Sequence, residues 1–314
     1  MRRIKVIGLV ATLLVFGMMS LGSGSSSASE KKEIVADSSS TAADDAADAQ
    51  EAADSNEETT ADRADSSEAV TIEEQVLFEQ DGLKVTATEY VVDSIWGDGI
   101  KLLIENDGAS DIGLGCNALI VNDYMITDLF SATVAAGKKD YETLNLSSSG
   151  LKAAGIDNVG KIEIYFHTFD PDTYMTIADM DCVTIQTSAF DSMDSTPNDA
   201  GQELYNADGI RIVGKYVDEN SFWGAAVLLY IENNSGENRI IQCDDMSINS
   251  FMVTPYFSST VYDGKKAIDE ITLMSSELEE NNITSVDEIE LKFKIIDENY
   301  ASRAETDTIS FSTK

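Results

Sequence analysis

Beyond residue 75, apolar and polar positions alternate with a period of two in run after run. Leu83, Val85 and Ala87 alternate with polar residues, as do Ile210 and Ile212. Ile100, Leu102 and Ile104 line one face of a run, matched later by Val227, Leu229 and Ile231. The clearest case is Ile162, Ile164 and Phe166 against Ile289, Leu291 and Phe293. Successive strand side chains point to opposite faces, so this period predicts half-buried strands. In the second set Leu228 and Tyr230 are apolar on the opposite face too, which predicts an interior strand. Turn-rich stretches such as Asn106-Asp107-Gly108 and Asn233-Asn234-Ser235 separate the runs.

The pairs just named lie at one constant spacing. Shifting the chain by 127 residues aligns 77–170 with 204–297 without a gap, and 31 of those 94 positions are identical. Asp81-Gly82 meets Asp208-Gly209, and Trp96-Gly97 meets Trp223-Gly224. Ile104-Glu105-Asn106 meets Ile231-Glu232-Asn233, and Cys116 meets Cys243. Asn122 meets Asn249, and Gly137-Lys138-Lys139 meets Gly264-Lys265-Lys266. The register then slips by one, so that Asp181 meets Asp307. A unit of roughly 110 residues is large enough to fold alone, so the pattern reads as duplication of a whole domain.

Each copy also predicts one short helix. Ser276-Glu277-Leu278-Glu279 fits a capping box, and Asn282, matched by Gly155, suits the left-handed position past the helix end. About seven or eight strands with one helix per copy predict a mainly β fold of two tandem antiparallel β-sandwiches. A small barrel is the alternative architecture. The expected divisions are a signal peptide over 1–28, a disordered acidic tether over 29–72, repeat 1 over 73–191, a linker over 192–202 and repeat 2 over 203–314.

The first two divisions rest on composition. Arg2, Arg3 and Lys5 precede a 16-residue apolar run from Val6 to Leu21, followed by small residues to Ala28. That order is the pattern of a secretory signal, and the run is shorter than the ~20 residues that span a bilayer. Cleavage after Ala28 and retention as an uncleaved anchor are both open, and no membrane span is expected in a cleaved form. Residues 29–72 carry 13 acidic against three basic residues and no aromatic ring. Such a segment buries too little apolar surface to offset its ordering entropy. An Ala-rich helix is the rival reading, disfavoured by its many Ser, Thr and Asp residues.

A formal charge of −36 excludes a nucleic-acid partner, which needs a basic face, and argues equally against anionic lipid. The I-E-N-x-[GS] strand end, the later G-K-K and the V-x-x-I-E-[IL]-x-F strand resemble the immunoglobulin-like sandwich domains of bacterial exported, lipoprotein-like proteins. The resemblance covers 77–314. It implies an extracytoplasmic location at the cell envelope or in secretion, and no particular ligand. The buried disulfide and Trp of antibody domains are not present.

Candidate chemistry is sparse. His167, the single histidine, has strand parity opposite to the core residues and no nucleophile or orienting group at fixed spacing. Cys116, Cys182 and Cys243 are odd in number and read as mostly buried thiols, a Cys116–Cys182 bridge being the alternative. Asp170, Asp172, Asp179 and Asp181, with Asp297, Glu298, Glu305 and Asp307 in the second copy, are candidate Ca²⁺ ligands. No Ca²⁺-loop motif accompanies them, so solvated acidic loops are the plainer reading, and no other cofactor is expected. Trp96, Trp223, Tyr124 and Phe251 are the candidate partner surface, with structural turns and core packing as the competing roles. No enzyme is expected. The chain reads as an envelope binding, adhesive or scaffold module pair for a protein or glycan, with a solute- or Ca²⁺-binding protein as the alternative.

Overall fold

The computed structural model describes residues 31–36, 69–93, 97–127 and 129–313, and these are mainly β. The expected signal segment, most of the tether and Trp96 lie outside the described residues. One strand, β1 (Lys31–Ala36), precedes two matching series of elements. The first is β2 (Gln75–Gln80), β3 (Leu83–Asp93), β4 (Gly97–Asn106), β5 (Ile112–Val121), β6 (Tyr124–Ile126), β7 (Ser131–Val134), β8 (Lys138–Asn145), α1 (Ser148–Ala154), β9 (Lys161–Phe169), β10 (Thr176–Asp179) and β11 (Val183–Gln186). The second is β12 (Gln202–Ala207), β13 (Ile210–Ser221), β14 (Gly224–Asn233), β15 (Arg239–Ile248), β16 (Phe251–Met252), β17 (Ser258–Val261), β18 (Lys265–Met274), α2 (Ser275–Glu280), β19 (Glu288–Ile296), β20 (Ser302–Glu305) and β21 (Ile309–Thr313). Strands β2 to β9 recur at the 127-residue spacing, and the last two strands of each series show the one-residue slip.

Both series pair alike. In the first, β2-β3-β4-β8 form one antiparallel sheet, while β5 pairs with β9 on one side and with β6 and β7 on the other. Strands β10 and β11 close the free edge of β9. The second series repeats this with β12-β13-β14-β18 and with β15 between β19 and β16–β17. One apolar cluster draws on both groups of the first series, including Val85, Ile104, Leu119, Ile164 and Phe166. Its counterpart draws on Ile212, Ile231, Met246, Leu291 and Phe293. Phe166 and Phe293 are fully buried, each contributing about 1.5–3 kcal/mol through burial.

The identical residues of the repeat are turn and strut residues. Asp81-Gly82 and Asp208-Gly209 all have positive φ, the I′ hairpin geometry that Asp-Gly favours. Asn233 is completely buried: its Nδ2 donates to the Glu237 and Val261 carbonyls at 2.9 and 2.7 Å, and its Oδ1 accepts from Ser235 N–H. Asn106 repeats all three bonds with Ser110, Val134 and Gly108. Asn122 and Asn249 form a second pair, each holding the start of β9 or β19 through two backbone N–H groups.

Helix α1 is capped by the Ser147 hydroxyl and stops at left-handed Gly155, φ 74°. Helix α2 lacks the expected capping box. Strand β18 runs straight into it, extended Met274 is its N-cap, and the Glu277 carboxylate turns away to accept from Thr254. The expected stop does hold, since Asn282 has φ 54° and the Ile283 N–H reaches the Leu278 carbonyl.

The expected tether is not disordered throughout, because β1 lies within it. Its first half pairs with β13 and its second half with β21, so it bridges the two strand groups of the second series. Ile34 enters the second apolar core and Lys32 meets Glu219 at 3.0 Å and Asp287 at 3.3 Å. The Ile34-Val35 pair and two lysines in an acidic run find here an apolar slot with carboxylates beside it. Composition over 44 residues averaged that signal away.

Candidate functional site

The two series meet along a specific junction. Strand β6 adds in parallel to the outer edge of β18, with Tyr124 opposite Lys266 and Met125 opposite Ala267. The Lys266 N–H donates to the Asp123 carbonyl at 2.9 Å, and its ammonium lies 5.5 Å from the centre of the Tyr124 ring. Tyr124 meets Tyr230 edge-on, and Tyr165 meets Tyr262 the same way. Lys265 reaches across to Asp123 at 2.9 Å and Glu163 at 2.5 Å, while Lys161 contacts the same two carboxylates. Burial raises the Asp123 carboxyl, but hydrogen bonds and charge from Lys161 and Lys265 outweigh it and hold it below its ordinary range. Burial depresses Lys265, and its two carboxylate partners more than reverse that.

The segment between the series is pinned to this junction. Asn198 N–H donates to the Tyr124 hydroxyl, Asn198 Nδ2 donates to the Ala153 carbonyl, and Lys215 donates to both Asn198 oxygens. An open cavity of about 270 Å³ adjoins the junction, lined by Asn117, Met125, Ser259 and Asp269 among others.

Burial raises the Asp269 carboxyl, partly offset by the Glu270 N–H and the Ser259 hydroxyl; burial and Asp269 itself raise Glu270. A carboxyl raised by folding binds protons more tightly in the folded state, so stability grows as pH falls through its folded value. Asp123 has the opposite sign, and its contribution is lost as pH falls below about 4. The chain is therefore expected to gain stability as acidification protonates Asp269 and Glu270, and to lose the Asp123 contribution below about pH 4. Asp269→Asn should raise the melting temperature by a few degrees at about pH 7 and shrink the gain on mild acidification; calorimetry across pH checks both.

The far end of the second series is open. Phe222 is 88% exposed and Trp223 48% exposed at the β13–β14 hairpin, with rings edge-to-face at 4.8 Å. Phe251, Met252 and Tyr256 are 48%, 66% and 52% exposed. Both groups flank α2, because Trp223 O accepts the Ser275 N–H and Thr254 is held by Glu277.

The residues singled out in the sequence separate here. Trp223 and Phe251 are surface residues, whereas Tyr124 is buried in the junction at 4% exposure and is not an outward-facing contact. Trp96 lies outside the described residues. Cys243 is buried, its thiol pushed up to about 12 chiefly by burial. Cys116 is half-buried, and Cys182 is exposed, against the expectation of mostly buried thiols; no disulfide joins the three. His167 is half-buried beside Gly115 and Phe169.

The aspartates stay apart. Asp170 caps the N–H groups of Asp172 and Thr173, and Asp179 accepts from Asn117. In the second copy Asp297 receives Asn299, Ala301 and Arg303. Among the described residues no group of three or more His, Cys, Asp or Glu side chains could hold a metal ion, and no helix is long and apolar enough to cross a membrane.

Sequence reading missed Phe222 and Asn198. Two successive aromatics beside a turn glycine could have signalled the first; the second has no counterpart in the repeat and no local pattern. No protein-family model matches the chain, and no curated protein matches it.

Proposed function

We propose that the chain is a non-enzymatic extracytoplasmic interaction module, two tandem sandwich domains that present an adhesive or scaffolding surface at the cell envelope. The observation that carries this reading is the exposed aromatic end of the second repeat. Phe222 and Trp223 adjoin α2 through the Ser275 N–H, and the segment after Phe251 and Met252 adjoins it through Thr254. Large rings left in water at the tip of a rigid β unit are the residues that anchor protein and glycan contacts. Asp170 and Asp297 cap loops, Asp179 accepts from Asn117, and the junction carboxylates are held in ion pairs. The expected export signal over residues 1–28 fits an extracytoplasmic location, and β1, starting at Lys31, holds the chain that follows it against the second repeat.

Retention of the chain on isolated envelope material tests the proposal. Phe222→Ser with Trp223→Ser, or Phe251→Ser with Met252→Ser, should weaken retention at least roughly tenfold, as loss of anchor residues does. These side chains are exposed, so the melting temperature should hold. Unchanged retention in both double variants would overturn the proposal.

A further inference from the structure

The junction uses one surface from each repeat, and each repeat also carries the other surface unused. Repeat 1 supplies the β6 segment and repeat 2 supplies the outer edge of β18. The counterpart of β6 is β16, which lies on β15 in the register of β6 on β5: Met252 opposes Ser247 as Met125 opposes Ile120. The counterpart of β18 is β8, whose Lys138 and Lys139 oppose Asn106 and Glu105 as Lys265 and Lys266 oppose Asn233 and Glu232. Among the described residues, β8 pairs with β4 alone, so its outer edge is open.

Part of the chemistry is carried over with the geometry. Phe251-Met252 replaces Tyr124-Met125, and both residues are exposed where Tyr124 is buried. Glu290, exposed, stands where Glu163 receives Lys265. Lys138 and Lys139 are exposed where Lys265 and Lys266 are covered. On β18, Ile268 packs against the first core; on β8 its counterpart Tyr141 is 58% exposed. Asp123 is replaced by Ser250 and Lys161 by Glu288, and the tyrosine pairs Tyr124–Tyr230 and Tyr165–Tyr262 have Phe251–Leu103 and Lys292–Ala135 in their place. The apolar contact, the Lys138–Glu290 pair and the open edge are what carry over.

We infer that a second copy of this chain is a partner of the exposed aromatic end: β16 of one molecule adds to β8 of the next. The inference rests on the interaction reading above and names its partner. An open strand edge is a template for strand addition. Here the donor and acceptor surfaces differ, so the contact is head-to-tail, and repetition extends a row instead of closing a dimer. Lys138 then meets Glu290, and Lys139 lies over the Phe251 ring as Lys266 lies over Tyr124. The net charge of −36 opposes approach of two copies, so added salt strengthens the contact.

Sedimentation velocity of the full chain in added salt tests this, with Phe251→Ser/Met252→Ser as the donor-defective variant and Lys138→Glu/Lys139→Glu as the acceptor-defective one. Wild type should grow with concentration through dimers to longer species, and each variant alone should remain monomeric. An equimolar mixture of the two variants keeps one competent donor and one competent acceptor, so it should reach a dimer, twice the monomer mass, and stop there. A monomeric wild type, or a mixture that stays monomeric, would overturn the inference. Envelope retention separates this failure from failure of the functional reading. If Phe251→Ser/Met252→Ser abolishes retention while Lys138→Glu/Lys139→Glu leaves it intact and wild type is monomeric, self-assembly falls and the interaction module stands.

Discussion

Replacing Asn233 with alanine is expected to lower the melting temperature by roughly 10 °C, about 3 kcal/mol. The amide is buried without access to water and makes three bonds to the loop that leads into β15 and to the end of β17. Alanine leaves two carbonyls and one N–H without their partner, at about 1 kcal/mol for each bond. Asn106→Ala should cost a similar amount, because the same three bonds recur in the first repeat. Calorimetry of both variants checks this. A drop below about 1 kcal/mol in either would mean that the loop finds other partners.

Lys265→Ala is expected to cost about 2 kcal/mol, while Lys138→Ala, its counterpart in the first repeat, costs close to nothing. The two lysines share a sequence context and a register on their sheets. They differ in cover: Lys265 is clamped between Asp123 and Glu163 of the other repeat, and Lys138 is exposed. Removing Lys265 leaves two partly buried carboxylates sharing Lys161 alone. The melt should then broaden into two steps as the repeats uncouple. Protease sensitivity near Asn198, which is tied to the junction through the Tyr124 hydroxyl, should rise with it.

Much of the strand layout was legible in the sequence. The core residues of β4, β9 and β19 follow from period-two alternation, since each strand has one face in a core, and the apolar opposite face of β14 marked it as interior. The repeat spacing anticipated the recurrence of elements down to the one-residue slip. The helix stops were legible because Gly155 and Asn282 answer a local backbone demand. What failed depended on distant partners. The capping box was overridden because β18 runs straight into the helix, which starts at Ser275 and so puts Ser276 inside its first turn. The pairing of β1 was hidden because its partners lie about 180 residues and more away. Tyr124 and Phe251 occupy equivalent positions, so no local pattern could say that the first is covered and the second bare. One trace of the docking was present: Tyr230, apolar on the outward side of β14, is the residue that Tyr124 covers.

Trp223 belongs to the proposed contact surface, and its fluorescence tests that proposal most directly. The chain has two tryptophans, so a Trp96→Phe chain reports on Trp223 alone. On addition of envelope material the emission should shift to the blue as the half-exposed ring is covered, and Phe251→Ser/Met252→Ser should weaken or abolish the shift. Retention of the protein with unshifted Trp223 emission would contradict the account.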